Sequence, residues 1–105
     1  MLMNYTSFMV KIIGEPQQSF FDNDISVTEI LARFYQFREN SYNICKLVIW
    51  GSLSYDVIQY YQPNDYLIVE GYISRRNSNF KNDKIISEIE ISVFKIYPFA
   101  LNSLI

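Results

Sequence analysis

Hydrophobic residues along this chain recur mostly with period two. They fall in short runs rich in β-branched and aromatic side chains, the pattern of half-buried strands. Five strands are predicted. The first covers 8–13 (FMVKII) and is closed by Gly14 and Pro16, after which a polar stretch runs through Asn23 and Asp24. The second covers 27–37, where Ile30, Ala32 and Phe34 share one face and Leu31, Arg33, Tyr35 and Phe37 share the other. Ala, Leu, Glu and Arg are good helix formers, but the apolar residues here give no clean helical stripe, so strand is preferred. Residues 38–43 read as a turn-rich loop. The third strand covers 44–50 (ICKLVIW), with Cys45, Leu47 and Ile49 on a core face and Ile44, Lys46, Val48 and Trp50 on the other.

The period then changes. Residues 53–61 read as a short helix with Ser52 as N-cap, Asp56 favouring the N-terminal end, and Leu53, Val57 and Tyr60 or Tyr61 as the apolar stripe. Pro63 stops it, and Asn64 suits the left-handed position of a tight turn. The fourth strand covers 66–74, with Leu67, Val69 and Ile73 turned inward around Gly71. A polar hairpin loop over 75–83 leads to the last strand, 86–97, where Ile89, Ile91 and Val93 alternate with Glu88, Glu90 and Ser92 and the register slips near Phe94. The order β–β–β–α–β–β, with one helix between strands 3 and 4, predicts an all-β OB-fold, a five-stranded Greek-key barrel. An unrelated small β-sandwich would not explain the placed helix. The 105 residues suit one domain, 1–105, with 1–6 and 99–105 as loose ends.

Composition narrows the chemistry. Half of the chain is hydrophobic, so a core can form without staples. There is no histidine, which removes His-based acid–base catalysis, Ser–His–Asp triads and Cys/His zinc patterns. Carboxylates are scattered and no Gly-rich phosphate loop is present, so neither an enzyme nor a cofactor nor a metal is expected. Cys45 is the only cysteine, which fits a reducing compartment, and its place on the core face reads as a small buried hydrophobe. No apolar run is long enough to span a membrane, and the N-terminal residues do not read as a signal peptide. The abundance of Ile, Asn, Tyr, Phe and Lys points to an AT-rich genome.

Net charge is −2, which speaks mildly against a nucleic-acid partner, but its distribution is uneven. Arg75, Arg76, Lys81 and Lys84 cluster against Asp83, and Arg33, Arg38 and Lys46 against Glu39, leaving the remainder strongly acidic. Trp50 ends the third strand on the face of Lys46, and the second strand offers Arg33, Tyr35 and Phe37. Phe80 and Tyr42 lie in loops beside Arg75, Arg76 and Arg38. Rings interleaved with cations suit a single strand, because rings stack on bases while cations track phosphates. The competing reading is that most of these aromatics simply pack, as many must when they make up 17% of the residues.

The stretch KLVIWGSLSYDVIQYYQPNDYLIVEGYISRR resembles the middle of the bacterial single-stranded-DNA-binding protein family, and FMVKIIG resembles its first strand. Gly14, Gly51 and Gly71 fall where that family places glycines, and the nearest likeness is to the short members encoded in red algal and related plastids. The resemblance implies that Trp50 stacks on bases and that Lys46 lies on the same face. It also implies that Arg76 stands at the base of the long hairpin and that Phe80 is that hairpin's stacking ring, with two residues inserted. It implies single-stranded DNA as partner, a homodimer or homotetramer, and a plastid location, with the bacterial cytoplasm as the alternative. Departures are Ile44, where an aromatic is expected six residues before Trp50, and Cys45 in place of a histidine near subunit contacts. An acidic tail is also missing, so partners recruited by a tail are not expected. The rival expectation is an OB-fold interaction subunit with little nucleic-acid affinity, and RNA is an alternative ligand.

Overall fold

The computed structural model describes residues 5–22, 24–36, 41–80 and 84–101; within it the side chains of 35, 36, 41, 42, 75–80 and 84–88 are not described. The elements are β1 (Tyr5–Ile12), β2 (Gln17–Phe21), β3 (Ile25–Gln36), β4 (Ser41–Trp50), α1 (Ser52–Tyr60), β5 (Tyr66–Phe80) and β6 (Lys84–Ala100). The sheet runs β1-β5-β6-β4-β3-β2, and an additional pairing of β1 with β3 closes the five strands other than β2 into a barrel. The β4–β6 pairing is parallel and the others are antiparallel. The expected barrel with a helix between its third and fourth strands is the observed one.

Period-two alternation builds the interior. Val10 and Ile12 of β1, Ile30 and Ala32 of β3, and Leu47 and Ile49 of β4 meet Leu67, Val69, Ile91 and Val93 of the last hairpin. Each of these is almost fully removed from water, which stabilises by roughly 1.5–3 kcal/mol per large aliphatic side chain. Helix α1 contributes Val57 to this core, with Leu53 and Tyr61 packed against it, while Tyr60 is left 65% exposed. A buried hydroxyl cluster fastens the helix to β3. The Ser54 hydroxyl lies 2.6 Å from that of Ser26 and 2.7 Å from that of Thr28, and Thr28 also donates to the Ser54 carbonyl at 3.0 Å. Buried hydroxyls are costly unless paired, and this mutual pairing removes the cost.

Several local expectations need correction. The helix is capped by Gly51 (φ 74°), not by Ser52, which is its first residue and makes no side-chain cap. Gly51 reaches this left-handed conformation without a Cβ penalty, and its N–H donates to the Ser26 carbonyl at 2.8 Å. Asp56 stands beyond the first turn, so it does not offset the helix dipole there. Residues 41–43, expected in a loop, begin β4, and residues 75–80, also expected in a loop, extend β5 in continuous pairing with 84–89 of β6. Polar residues on a two-stranded ribbon carry no core-facing period, which is why that hairpin read as a loop. Pairing also reaches further toward both ends than the apolar pattern suggests: Tyr5 and Thr6 pair with β5, and Ala100 pairs with Tyr66.

The slip near Phe94 is a bulge. Glu70 pairs with Lys95 and Gly71 with Val93, so Phe94 has no partner opposite. A side chain at Gly71 would run into the backbone carbonyl of Ser92, so this crossing needs a glycine. Asn64 adopts the left-handed conformation expected of it (φ 78°). Next to it, the fully buried Asp65 accepts the Gln62 backbone N–H at 2.9 Å.

Candidate nucleic-acid interface

The outer surface of β3 and β4 follows from their register. Trp50 lies opposite Val27, Val48 opposite Glu29, Lys46 opposite Leu31 and Ile44 opposite Arg33. On the flanks, β2 sets Ser19 against Val27, and β6 sets Glu90 beside Lys46 and Ser92 beside Val48. Val27 and Val48 are only 8% and 6% exposed, yet neither belongs to the barrel's core cluster. They form an apolar floor on the outside of the barrel, shielded by the longer side chains around them. Trp50, Ile44 and Leu31 are exposed on the same surface.

Lys46 is not an isolated cation. Its Nζ lies 3.5 Å from Glu29 Oε2, with side chains 30% and 44% exposed. Both ends of this ion pair face solvent, so its stabilisation is small. Cys45, the neighbour of Lys46, faces the other way into the core, and burial pushes its thiol up to about 12, so it is protonated and inert near neutrality.

The structure divides the residues expected to bind. Lys46 and Trp50 lie on one strand face. Arg33 shares that face but sits opposite Ile44, six residues from Trp50 along β4, or about 20 Å at ~3.3 Å per residue. Arg33 and Trp50 therefore mark opposite ends of this face. Tyr35 lies opposite Tyr42 by backbone pairing. Phe37 is outside the described residues. Arg75 and Arg76 lie opposite Ile89 and Glu88, and Phe80 opposite Lys84 near the far end of the β5–β6 hairpin; these are backbone placements.

Two residues of this surface escaped the sequence pattern. Glu29, among the scattered carboxylates, carries no sequence signal that would mark it as the partner of Lys46. Phe21 lies on β2, a strand that was not expected because all five of its residues (QQSFF) are exposed and show no alternation. Its ring centroid is 6.1 Å from that of Trp50, with the planes 80° apart. The sequence Asp22-Asn23-Asp24 between the apolar residues Phe21 and Ile25 is the hairpin signal the chain offers here.

The barrel and its flanking helix define an OB-fold. The crystal structure of the SSB domain of a Synechococcus sp. protein superposes with a TM-score of 0.73, covering 90% of this chain and 94% of that one at 21% identity. Sequence comparison adds the family. The chain is 50% identical, over 97% of its length and 94% of the relative's, to a Trieres chinensis protein named "Putative single-stranded DNA-binding protein ycf41". It is 33% identical, over 78% of its length and 68% of the relative's, to the "Thylakoid-associated single-stranded DNA-binding protein slr1034" of Synechocystis sp.. No protein-family model matches the chain. The chain belongs to the single-stranded DNA-binding protein family. Among the described residues, no helix is long and apolar enough to cross a membrane.

Proposed function

We propose that this protein binds single-stranded DNA, without strong sequence preference, through the outer face of β3 and β4 that carries Arg33, Lys46 and Trp50. In this reading Tyr35, Phe37 and the β5–β6 hairpin with Arg75, Arg76 and Phe80 extend the contact, in the replication or repair of plastid DNA. Membership of the family makes it a binding protein and not an enzyme. The observation that carries the reading is Trp50, 48% exposed on the face of a cation, beside the buried Val27. A large ring left in water next to a buried apolar floor offers a base a flat partner, and stacking on it does not depend on which base arrives. The names of the relatives support the ligand, and the thylakoid association of the Synechocystis relative supports the location.

Trp50 is the only tryptophan, so its emission reports on one place. Poly-thymidine is expected to quench it and duplex DNA of equal length to quench it far less; an unstructured RNA of equal length tests the alternative ligand. Trp50→Ala should cost about 1–3 kcal/mol of affinity, the scale of one stacked base. Absence of quenching at low salt by a folded protein would overturn the reading in favour of an interaction subunit. The net charge of −2 and the Glu29–Lys46 pair are the observations that favour that rival.

We also read the protein as a homodimer or homotetramer. The outer face of β1, β5 and β6 supports this, because Tyr5, Tyr72 and Phe94 form a ring cluster there (5.4 Å from Tyr5 to Tyr72, 4.8 Å from Tyr72 to Phe94), with Tyr5 and Phe94 exposed. Contiguous exposed apolar surface of this kind marks an interaction site. Sedimentation that finds only monomer at high micromolar concentration would refute it.

A further inference from the structure

We infer that Phe21 is a second base-contacting ring, so that the bound strand continues from Trp50 onto β2 and turns sharply between the two. The inference rests on the reading that the β3–β4 face binds single-stranded DNA. Three observations carry it.

The first is exposure. Phe21 is 54% exposed and Trp50 48% exposed although they touch each other. A ring pair serving only the stability of the fold would be expected to bury more of its area, since burying a phenylalanine stabilises by far more than an edge contact in water. The second is geometry. At 80° and 6.1 Å the rings meet edge to face, which leaves a broad face of each open. A base stacks with its plane parallel to its partner, so one base cannot stack on both rings. Two perpendicular faces receive two bases whose planes differ by about a right angle. The third is place. Among the described residues β2 pairs only with β3 and ends the sheet, and Phe21 is its last residue, opposite Ile25. Ile25 is 44% exposed and extends the apolar corner. A strand leaving Trp50 across the sheet meets this corner before it leaves the protein.

The surrounding charge makes the inference specific. Residues 14–32 include no Lys or Arg and contain Glu15, Asp22, Asp24 and Glu29. A contact at Phe21 therefore engages a base and not a phosphate. Its loss lowers affinity without changing the number of counterions released, whereas loss of Lys46 lowers the salt dependence.

The test measures binding of a fluorescently labelled oligothymidylate to the full chain by anisotropy, across a salt series, for wild type, Phe21→Leu, Phe21→Tyr, Trp50→Ala and Lys46→Ala. Phe21→Leu should weaken binding roughly 5- to 150-fold, the equivalent of one lost stack, with an unchanged salt slope. Phe21→Tyr, which keeps a flat ring, should bind within about twofold of wild type. Phe21 is exposed at a strand end, so both variants should keep the wild-type melting temperature. If Phe21→Leu binds like wild type while Trp50→Ala and Lys46→Ala are weakened, the path over β2 is wrong and the β3–β4 site stands. If Phe21→Leu and Phe21→Tyr are weakened alike, a stacked ring is not the cause and the inference fails. If neither Trp50→Ala nor Lys46→Ala weakens binding, the underlying reading of the site fails first.

Discussion

Lys46 sits in the middle of the proposed site, but its charge is already engaged. A phosphate that approaches it meets Glu29 at 3.5 Å from the same ammonium. Glu29→Gln removes the competing charge, keeps the side-chain length, and is expected to tighten binding of single-stranded DNA. The magnitude follows from the geometry. Two unit charges 3.5 Å apart interact with about 1.2 kcal/mol in a water-like dielectric. Measured values for exposed pairs are ~0.2–1 kcal/mol, and these side chains are 30% and 44% exposed, so the lower range applies. Lifting the pairing, together with the repulsion between carboxylate and phosphate, therefore corresponds to a gain of roughly two- to fivefold at low salt. The slope of log affinity against log salt should also steepen, by less than the ~0.7 of one whole phosphate on a single strand, because Lys46 already contributes part of that in the wild type. The assay is oligothymidylate anisotropy across a salt series for wild type, Glu29→Gln, Lys46→Ala and the double variant. The reasoning is refuted if Glu29→Gln binds as wild type does. It is also refuted if the gain persists undiminished in the Lys46→Ala background, which would make it a long-range charge effect and not release of this pair.

Two further outcomes test the fold. Gly71→Ala places a methyl group against the Ser92 carbonyl, a backbone atom that cannot rotate away, so urea denaturation should show a loss of about 3 kcal/mol or failure to fold; a change below about 0.5 kcal/mol would contradict the described crossing. Burial pushes the Cys45 thiol from an ordinary 9.0 up to about 12, so between these values the unfolded chain binds fewer protons than the folded one. Stability from this source is complete below about pH 9 and declines as pH rises toward 12. Tyr61, raised by burial and then by Asp65 and Asp56, acts in the same direction. Cys45→Ala should show a shallower alkaline decline in melting temperature, and an equal decline would exclude the thiol as a contributor.

The barrel was legible in the sequence wherever one strand face is apolar and the other is not. Cys45, Leu47 and Ile49 read as core because Lys46 and Trp50 alternate with them, and the structure buries the first three. The helix read correctly from Val57 and Pro63, but its cap did not, because a glycine at positive φ serves without any side-chain signal. β2 was hidden because Gln17–Phe21 has no buried face to impose a period. That omission also hid Phe21. The separation of Trp50 from Arg33 is not legible in the sequence for a different reason. Alternation tells which face a residue takes but not how far one strand slides along another, and the register that pairs Trp50 with Val27 is set by the turns.

The barrel is closed by a short clasp. β1 pairs with β5 over seven residues but with β3 over only two, Lys11 with Arg33 and Ile12 with Ala32, helped by the Ile13 and Gly14 N–H groups donating to the Leu31 carbonyl. Free energy of local opening scales with the contacts that must be broken, so this seam is where the cylinder would part into a curled sheet before the rest unfolds. Arg33, one half of the clasp, also belongs to the face proposed to hold the nucleic-acid strand. A ligand laid across that face binds the closed form better than the parted one, and the difference adds directly to the clasp. In this architecture the bound polymer behaves as a suture. It holds shut the joint on which the geometry of its own site depends.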